Sequence, residues 1–317
     1  VSTPVVRAAI LHHYGEAPQP GDFPGPVPAE GQTVIEVSAA GLNPVDISMA
    51  SGSFYQGRVP LPCVAGREGV GRTSDGELVY FAAPVPPYGS FAEWTLVDSE
   101  SPIPLPEDVD PALATCFGIA GLAAWLALEW RARLRDGETV LVLGASGVVG
   151  GIAVQAARLL GAGRVIAAAR ARDGLERARS RGADDVVQLD GAGNLAEAFR
   201  EACVGGPDVV IDPLWGEPAA AAIEACRPEA RLVQIGQSAG SHSSIASAAV
   251  RGKGLAILGH ANFRAPREVK IAAYMQMIEH ATAGRLTVDI ERVPLENVVD
   301  AWNRQRSSPG RKLVIMP

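Results

Sequence analysis

The chain has 317 residues, 47% of them hydrophobic and 20% charged, with a formal net charge of −7. That length favours two domains over a single core, and the composition is globular rather than disordered or fibrous. The negative charge is modest and no basic block interrupts it, which argues against nucleic acid or an anionic membrane surface as a partner.

The N-terminus shows no charged-then-apolar signal, and no apolar run of about 18 residues or more is expected to cross a bilayer. A cytoplasmic protein without a membrane span is the expectation. The cysteines, Cys63, Cys116, Cys203 and Cys226, are scattered with no CxxC pair, so no disulfide framework is expected.

The first hundred residues are rich in Pro and Gly and carry short alternating apolar runs, such as Val34–Val37 and Glu77–Phe81. They predict strands joined by frequent turns. Helical patterning begins at Asp110, where Pro111 suits a first helical turn. From Thr139 the texture changes. Apolar segments recur at Thr139–Leu143, Arg164–Ala168, Asp185–Leu189, Asp208–Asp212, Arg231–Ile235 and Leu255–Leu258, with helical spacing between most of them. Uniformly apolar strands separated by helices predict a parallel sheet covered on both faces. After Gly259 the alternation stops. A helix over about Arg267–Ala283, a strand-like Thr287–Val293 and a last strand Lys312–Met316 complete the chain. The fold class is therefore α/β, with a doubly wound domain over 119–258 inserted into a discontinuous outer domain of 1–118 and 259–317.

The run from Thr139 to Gly151 is a strand, a turn of small residues and the start of a helix. Small residues let the backbone approach a pyrophosphate, and the helix N-terminus supplies N–H donors and a positive dipole. Ala145, Ser146, Gly147, Val148 and Val149 are the loop residues expected to hold it. NAD-preferring folds end the second strand with an Asp or Glu that binds the ribose hydroxyls. Here that strand ends in alanine, and Arg170 and Arg172 follow. Their guanidinium groups suit a 2′-phosphate, so NADPH is the expected cofactor. The nearest acid, Asp173, begins a capping-box-like Asp-Gly-Leu-Glu and is assigned to the start of the next helix.

The motifs Ala40-Gly-Leu-Asn-Pro-Val-Asp46, Gly66-Arg-Glu-Gly-Val-Gly71, Tyr88-Gly-Ser-Phe-Ala-Glu93, Gly144-Ala-Ser-Gly-Val-Val-Gly150 and Arg231-Leu-Val-Gln-Ile-Gly-Gln-Ser238 span nearly the whole chain. With them the chain resembles the quinone oxidoreductase branch of the medium-chain dehydrogenase/reductase superfamily. The resemblance implies a GroES-like β-rich catalytic domain, an inserted Rossmann domain that binds the cofactor, an active site between them and a homodimer. It places Asn43 and Asp46 near the nicotinamide or its ribose, with Gly236, Gln237 and Ser238 bordering the same end of the cofactor. Turn stabilisation is the alternative role for these loop residues.

Zinc-dependent relatives have Cys where this chain has Asn43 and His where it has Arg67, while Glu68 and Cys116 match them. Asn is a poor zinc ligand, and a guanidinium cannot bind a cation. Residues 77–105, where relatives carry a four-cysteine lobe, contain no cysteine. No metal is expected, and Cys116 reads as a small buried residue. Without a Lewis acid, hydride transfer to a simple carbonyl is disfavoured. A quinone or enone spreads the developing charge by conjugation, so a few hydrogen-bond donors suffice.

Arg67 has two readings: a fixed cation at the active site, or an internal salt bridge to Asp46 or Glu68. Lys312 matches a basic position near the cofactor in relatives, or is a surface lysine ahead of the last strand. Tyr55 either reaches the active site or packs locally, and Ser48 stands where relatives often carry Tyr. The expected activity is NADPH-dependent reduction of a quinone or α,β-unsaturated carbonyl. An enoyl reductase of thioesters or alkenals and a cofactor-binding protein with a structural or regulatory role are the alternatives.

Overall fold

The structure is a computed structural model and describes residues 4–55, 57–191 and 193–317. The chain divides into two compact units, Val1–Ile119 with Val288–Pro317, and Ala120–Thr287. The first begins with strands β1 (Val5–Leu11), β2 (Gln19–Pro24) and β3 (Gln32–Gly41) and helix α1 (Pro44–Ala50). Strands β4 (Cys63–Val64), β5 (Glu68–Thr73), β6 (Leu78–Ala82), β7 (Trp94–Asp98) and β8 (Ile103–Pro104) follow, then helix α2 (Pro111–Cys116). The second unit runs α3 (Leu122–Leu126), β9 (Thr139–Leu143), α4 (Val148–Leu159), β10 (Arg164–Ala169), α5 (Arg172–Ser180) and β11 (Asp185–Gln188). It continues through α6 (Leu195–Ala202), β12 (Val209–Asp212), α7 (Gly216–Ala225), β13 (Arg231–Gln234), α8 (Ser247–Lys253), β14 (Ala256–Gly259) and α9 (Arg267–Thr282). The chain then returns to the first unit with β15 (Ile290–Pro294), α10 (Val298–Arg306) and β16 (Lys312–Met316).

In the second unit the described strands form one parallel sheet in the order β11-β10-β9-β12-β13-β14. Counted along the unit this is 3-2-1-4-5-6, the doubly wound order in which the chain reverses direction between β9 and β12. The strands are apolar throughout because helices cover both faces; Leu141, Leu143, Ile166, Phe199, Val210 and Leu232 are all buried in one core. Burying side chains of this size contributes roughly 1.5–3 kcal/mol each.

The first unit is β-rich. Its larger sheet runs β15-β16-β3-β5-β6-β8, with β7 also paired to β3. The ten-residue β3 organises this sheet. It pairs β5 along one edge, while β7 takes Gln32–Glu36 and β16 takes Ala40–Gly41 on the other. A bulge between Val37 and Ala39 adds local twist before the C-terminal part of β3. Ile35, Phe81, Phe91, Trp302, Leu313 and Ile315 fill the core beneath.

Three details differ from the sequence-based expectation. The return to the outer unit falls at Val288 rather than 259, because α9 packs on α3 and buries Ala273, Tyr274, Met277 and Ile278 there. The final parallel pair begins at Ile290, not Thr287. An apolar run long enough to cross a membrane does exist, Pro111–Ala132, but 83% of its most hydrophobic window is buried inside the protein. Its apolar character is that of a core segment.

Candidate functional site

Each unit carries one cluster of candidate residues. In the second, β9 ends at Leu143 and α4 begins at Val148, with Gly147 in extended conformation as its N-cap. No side chain caps this helix, so the first-turn N–H groups of Val148, Val149 and Gly150 are left for an incoming acceptor. Ala145 is buried and its N–H donates to the Ala168 carbonyl of β10 (3.0 Å), which pins the loop to the sheet. Gly150 sets the depth of the loop: a Cβ there would lie 2.3 Å from the Gly144 carbonyl oxygen and 2.7 Å from the Ala145 Cα. Only glycine lets helix and loop approach this closely. The uncapped start of α4 thus sits at the strand-order reversal, where doubly wound sheets bind ligands.

Gly236, Gln237 and Ser238 follow β13; the Ser238 N–H and hydroxyl both donate to the Pro213 carbonyl after β12 (3.3 and 3.2 Å). Gln237 is exposed. Asp212 closes β12, a residue not singled out from sequence although it is an acid ending an apolar strand. Its Oδ1 accepts from the Leu214 and Trp215 N–H groups (2.9 and 2.8 Å), and its Oδ2 is buried with no partner among the described residues. Burial pushes its carboxyl up to about 6, against the pull of those two N–H groups.

At the end of β10, Arg170 is exposed and makes no ion pair or side-chain hydrogen bond among the described residues. Arg172 is also exposed and donates from Nε to Gln188 Oε1 (3.3 Å). Asp173 does not cap α5 as expected. The helix starts earlier, with Ala171 as N-cap, so Asp173 sits in the first turn. There it pairs with Arg177 one turn on (2.7 Å), and that hydrogen bond holds its carboxyl below the ordinary range. The closest acid to this strand end is therefore engaged elsewhere.

In the first unit, sheet register builds the cluster. Ala40 pairs Gly69, and Gly41 pairs Val314, so the end of β3, the start of β5 and the start of β16 meet. Asn43, Glu68 and Lys312 converge there, all buried. The Lys312 ammonium donates to Glu68 Oε1 (2.8 Å) and to Asn43 Oδ1 (2.7 Å), and Asn43 Nδ2 donates to Glu68 Oε1 (2.7 Å) and the Gly41 carbonyl (3.0 Å). Glu68 Oε2 accepts from the Tyr80 hydroxyl (3.0 Å) and the Ile119 N–H (2.5 Å). Gly118 makes room, since a Cβ there would lie 2.2 Å from Glu68 Oε2 and 2.3 Å from the Tyr80 oxygen. Lys312 is thus no surface residue: it is 2% exposed, inside a network whose lone pairs are taken. Tyr80 was not legible as a site residue, because it reads as one more apolar position of β6. Cys116 is buried, donates weakly to the Ala112 carbonyl (3.4 Å), and has a thiol pushed up to about 12 by burial.

Asp46, in the first turn of α1, accepts the Asn43 N–H at Oδ2 (2.8 Å). Its Oδ1 is buried with no partner among the described residues, and burial pushes the carboxyl up to about 7. Arg67 is half-buried and forms no ion pair with Asp46 or Glu68 among the described residues. The expected internal salt bridge is absent because Glu68 points to Lys312, while adjacent residues of an extended chain face opposite sides. Burial lowers the Arg67 pKa, and the nearby Asp46 partly opposes this. Asp46 and Arg67 line one cavity with Tyr14, Met49, Cys63 and Trp302. Tyr55 does not join them. It is 73% exposed, its ring against Phe54 at 4.5 Å. Among the described residues no group of three or more His, Cys, Asp and Glu side chains could hold a metal ion.

Comparison with known proteins agrees with this layout. Residues 148–280 match the family model described as zinc-binding dehydrogenase, a span within the second unit. The chain is 33% identical over 199 residues to quinone oxidoreductase of Rattus norvegicus, covering 60% of this chain and 59% of that protein. It is 30% identical over 243 residues to quinone oxidoreductase-like protein 2 of Mus musculus, covering 74% and 69%. The match to the rat protein therefore spans about three fifths of that relative's length. Among solved structures, the quinone oxidoreductase of Thermus thermophilus, determined also as its complex with NADPH, superposes with a TM-score of 0.83 at 28% identity, over 98% of this chain and 100% of that one. With the doubly wound order and the loop at its reversal, these likenesses show that the chain belongs to the medium-chain dehydrogenase/reductase superfamily, in its quinone oxidoreductase branch.

Proposed function

We propose that this chain is a reductase that uses NADPH to reduce a quinone or an α,β-unsaturated carbonyl and works without a metal. The observation that carries the reading is the uncapped, deeply seated start of α4 at the strand-order reversal, beside a strand end followed by two exposed arginines, with Asp173 paired to Arg177. NADPH bound there supplies the hydride. The N–H groups of the Ala145–Val149 loop and of the first turn of α4 would hold the pyrophosphate, and Arg170 with Arg172 the 2′-phosphate. Gly236–Ser238 would border the nicotinamide end.

The donors of the first unit do not suit zinc. The Asn43 amide oxygen already accepts from an ammonium, both Glu68 oxygens are occupied, Arg67 has no lone pair to offer, and the Cys116 thiol is held protonated. The Lys312 ammonium is spent on Glu68 and Asn43. A conjugated acceptor suits such a site, because its developing charge is delocalised. Reduction consumes a proton as well as a hydride, and Asp46, raised by burial to about 7, can hold one at its unpartnered Oδ1.

Steady-state NADPH oxidation with a panel of quinones, enones, alkenals and saturated ketones tests the reading. Turnover is expected with conjugated acceptors and not with saturated ketones. NADPH binding with no turnover on any member of the panel would instead favour a structural or regulatory cofactor-binding role.

A further inference from the structure

Between β12 and α7 the chain turns through Asp212, Pro213, Leu214 and Trp215. Trp215 has φ 57° and ψ −159°, a backbone open to glycine but costly for a residue with a Cβ. Such strain persists only where the surroundings over-determine it. Here they do. Asp212 Oδ1 accepts the Leu214 and Trp215 N–H groups together (2.9 and 2.8 Å). The Leu214 carbonyl accepts the Ala239 N–H (2.8 Å), the Gly216 carbonyl accepts the Ser243 hydroxyl (2.7 Å), and Trp215 packs against the core of the second unit.

The same turn touches both segments that flank the strand-order reversal. On one side, a Cβ added at Gly144 would lie 3.0 Å from Leu214 Cδ2 and 3.2 Å from Pro213 Cγ, so both side chains press on the loop ahead of α4. On the other, the Asp212 carbonyl accepts the Ile235 N–H (2.8 Å), and the Pro213 carbonyl accepts the N–H and hydroxyl of Ser238 (3.3 and 3.2 Å). The approach is close: a Cβ at Gly236 would lie 2.8 Å from the Pro213 oxygen. The turn is a spacer between Gly144 and Gly236–Ser238, and the Asp212 carboxyl holds its shape. Asp212 itself is fully buried, so it acts through these neighbours.

We propose that Asp212 is a positioning residue for hydride transfer: by holding the strained Trp215 turn it fixes Gly236–Ser238, and with them the nicotinamide, relative to the loop that binds the pyrophosphate. In the step it serves, NADPH is oxidised to NADP+ as its C4 hydride passes to the conjugated acceptor, which then takes up one proton. A misplacement of about 1 Å costs such a step about a hundredfold, while the phosphates that supply much of the binding stay in place. This role rests on the reductase reading for the transfer step, whereas placement of the nicotinamide is measurable without turnover.

The test compares Asp212→Asn, Asp212→Ser and Asp212→Ala in the full chain, with circular dichroism confirming the fold of each. Asn keeps the acceptor, Ser offers a shorter one and Ala offers none. Single-turnover oxidation of bound NADPH by the best quinone or enone should slow in that order, by roughly ten- to a hundredfold for Asp212→Ala. NADPH affinity, titrated by fluorescence, should change much less. The anisotropy of the bound nicotinamide fluorescence should fall in the same order, because a ring held less firmly turns more freely. If Asp212→Ala does not fold, the step from Asn to Ser carries the same expectation. Should the wild type bind NADPH yet reduce no acceptor, with anisotropy still falling along the series, the placement role stands and the reductase reading falls. Equal hydride rates and equal anisotropy across the folded variants, or a loss of NADPH affinity as large as the loss of rate, overturns the role.

Discussion

The two clusters handle polarity in opposite ways. Around Lys312 the first unit closes its charges on one another: ammonium, carboxylate, amide and phenol are buried and satisfied within one network. At the start of α4 the second unit leaves its donors open, with an uncapped helix and an exposed, unpaired Arg170 beyond the next strand. A closed network sets geometry and field and cannot be entered without loss. An open one waits for a ligand to complete it.

Removing one member of the closed network should therefore do the most damage. Glu68→Gln leaves the Lys312 ammonium buried beside a neutral amide, and roughly 3–5 kcal/mol of stability should be lost in chemical denaturation. Combining it with Lys312→Met should restore much of that loss, because no charge is then left unpaired. A Glu68→Gln protein as stable as the wild type would mean that the network is not closed.

Asp46 yields a signed pH dependence. Its carboxyl is raised from 3.8 to about 7 in the folded protein, so the fold prefers the neutral form. The stability this contributes is full below about pH 4 and is lost as pH rises through about 7. Asp46→Asn cannot ionise, so its stability relative to wild type should improve by up to a few kcal/mol between about pH 4 and pH 8, as order-of-magnitude values. Parallel unfolding curves at both pH values would remove Asp46 as a proton-holding group.

The open cluster should respond locally. Gly150→Ala forces a Cβ to within 2.3 Å of the Gly144 oxygen and should cost roughly 1–3 kcal/mol with a clear loss of NADPH affinity. For stability, Gly147→Ala is the control, since its Cβ meets no protein atom closer than 3.4 Å and its φ of −84° suits any residue. Equal losses of stability from both would show that close packing does not set the loop depth. Arg170→Ala should weaken NADPH about tenfold while sparing NADH, and the difference should shrink with salt because the side chain is exposed. Fluorescence titration of both nucleotides decides this.

What could be read in the sequence follows from how far apart the partners lie. The pyrophosphate loop is contiguous, so strand, small turn and helix start stand side by side between Thr139 and Gly151. The hydrogen bond from the Asn43 N–H to Asp46 is also local, three positions apart, yet it was not anticipated, because both residues were assigned to the cofactor or to a turn. Glu68 and Lys312 lie 244 positions apart, and only the register of β3 with β5 and β16 joins them. Without that register, Glu68 was a plausible partner for Arg67, and Lys312 a plausible surface residue. The start of α5 was misplaced for a different reason: Asp173 satisfies both a cap and a first-turn pair, and backbone geometry chose the second. The unpartnered Trp302 N–H is visible only once α10 is packed.

Whether this network and loop support reduction by NADPH with no metal is tested most directly by zinc content and NADPH oxidation, measured together. Both are read on one sample before and after chelator treatment, with the best quinone or enone as acceptor. No stoichiometric zinc and undiminished turnover are expected. About one zinc per chain before treatment, removed together with the activity, would contradict the metal-free reading.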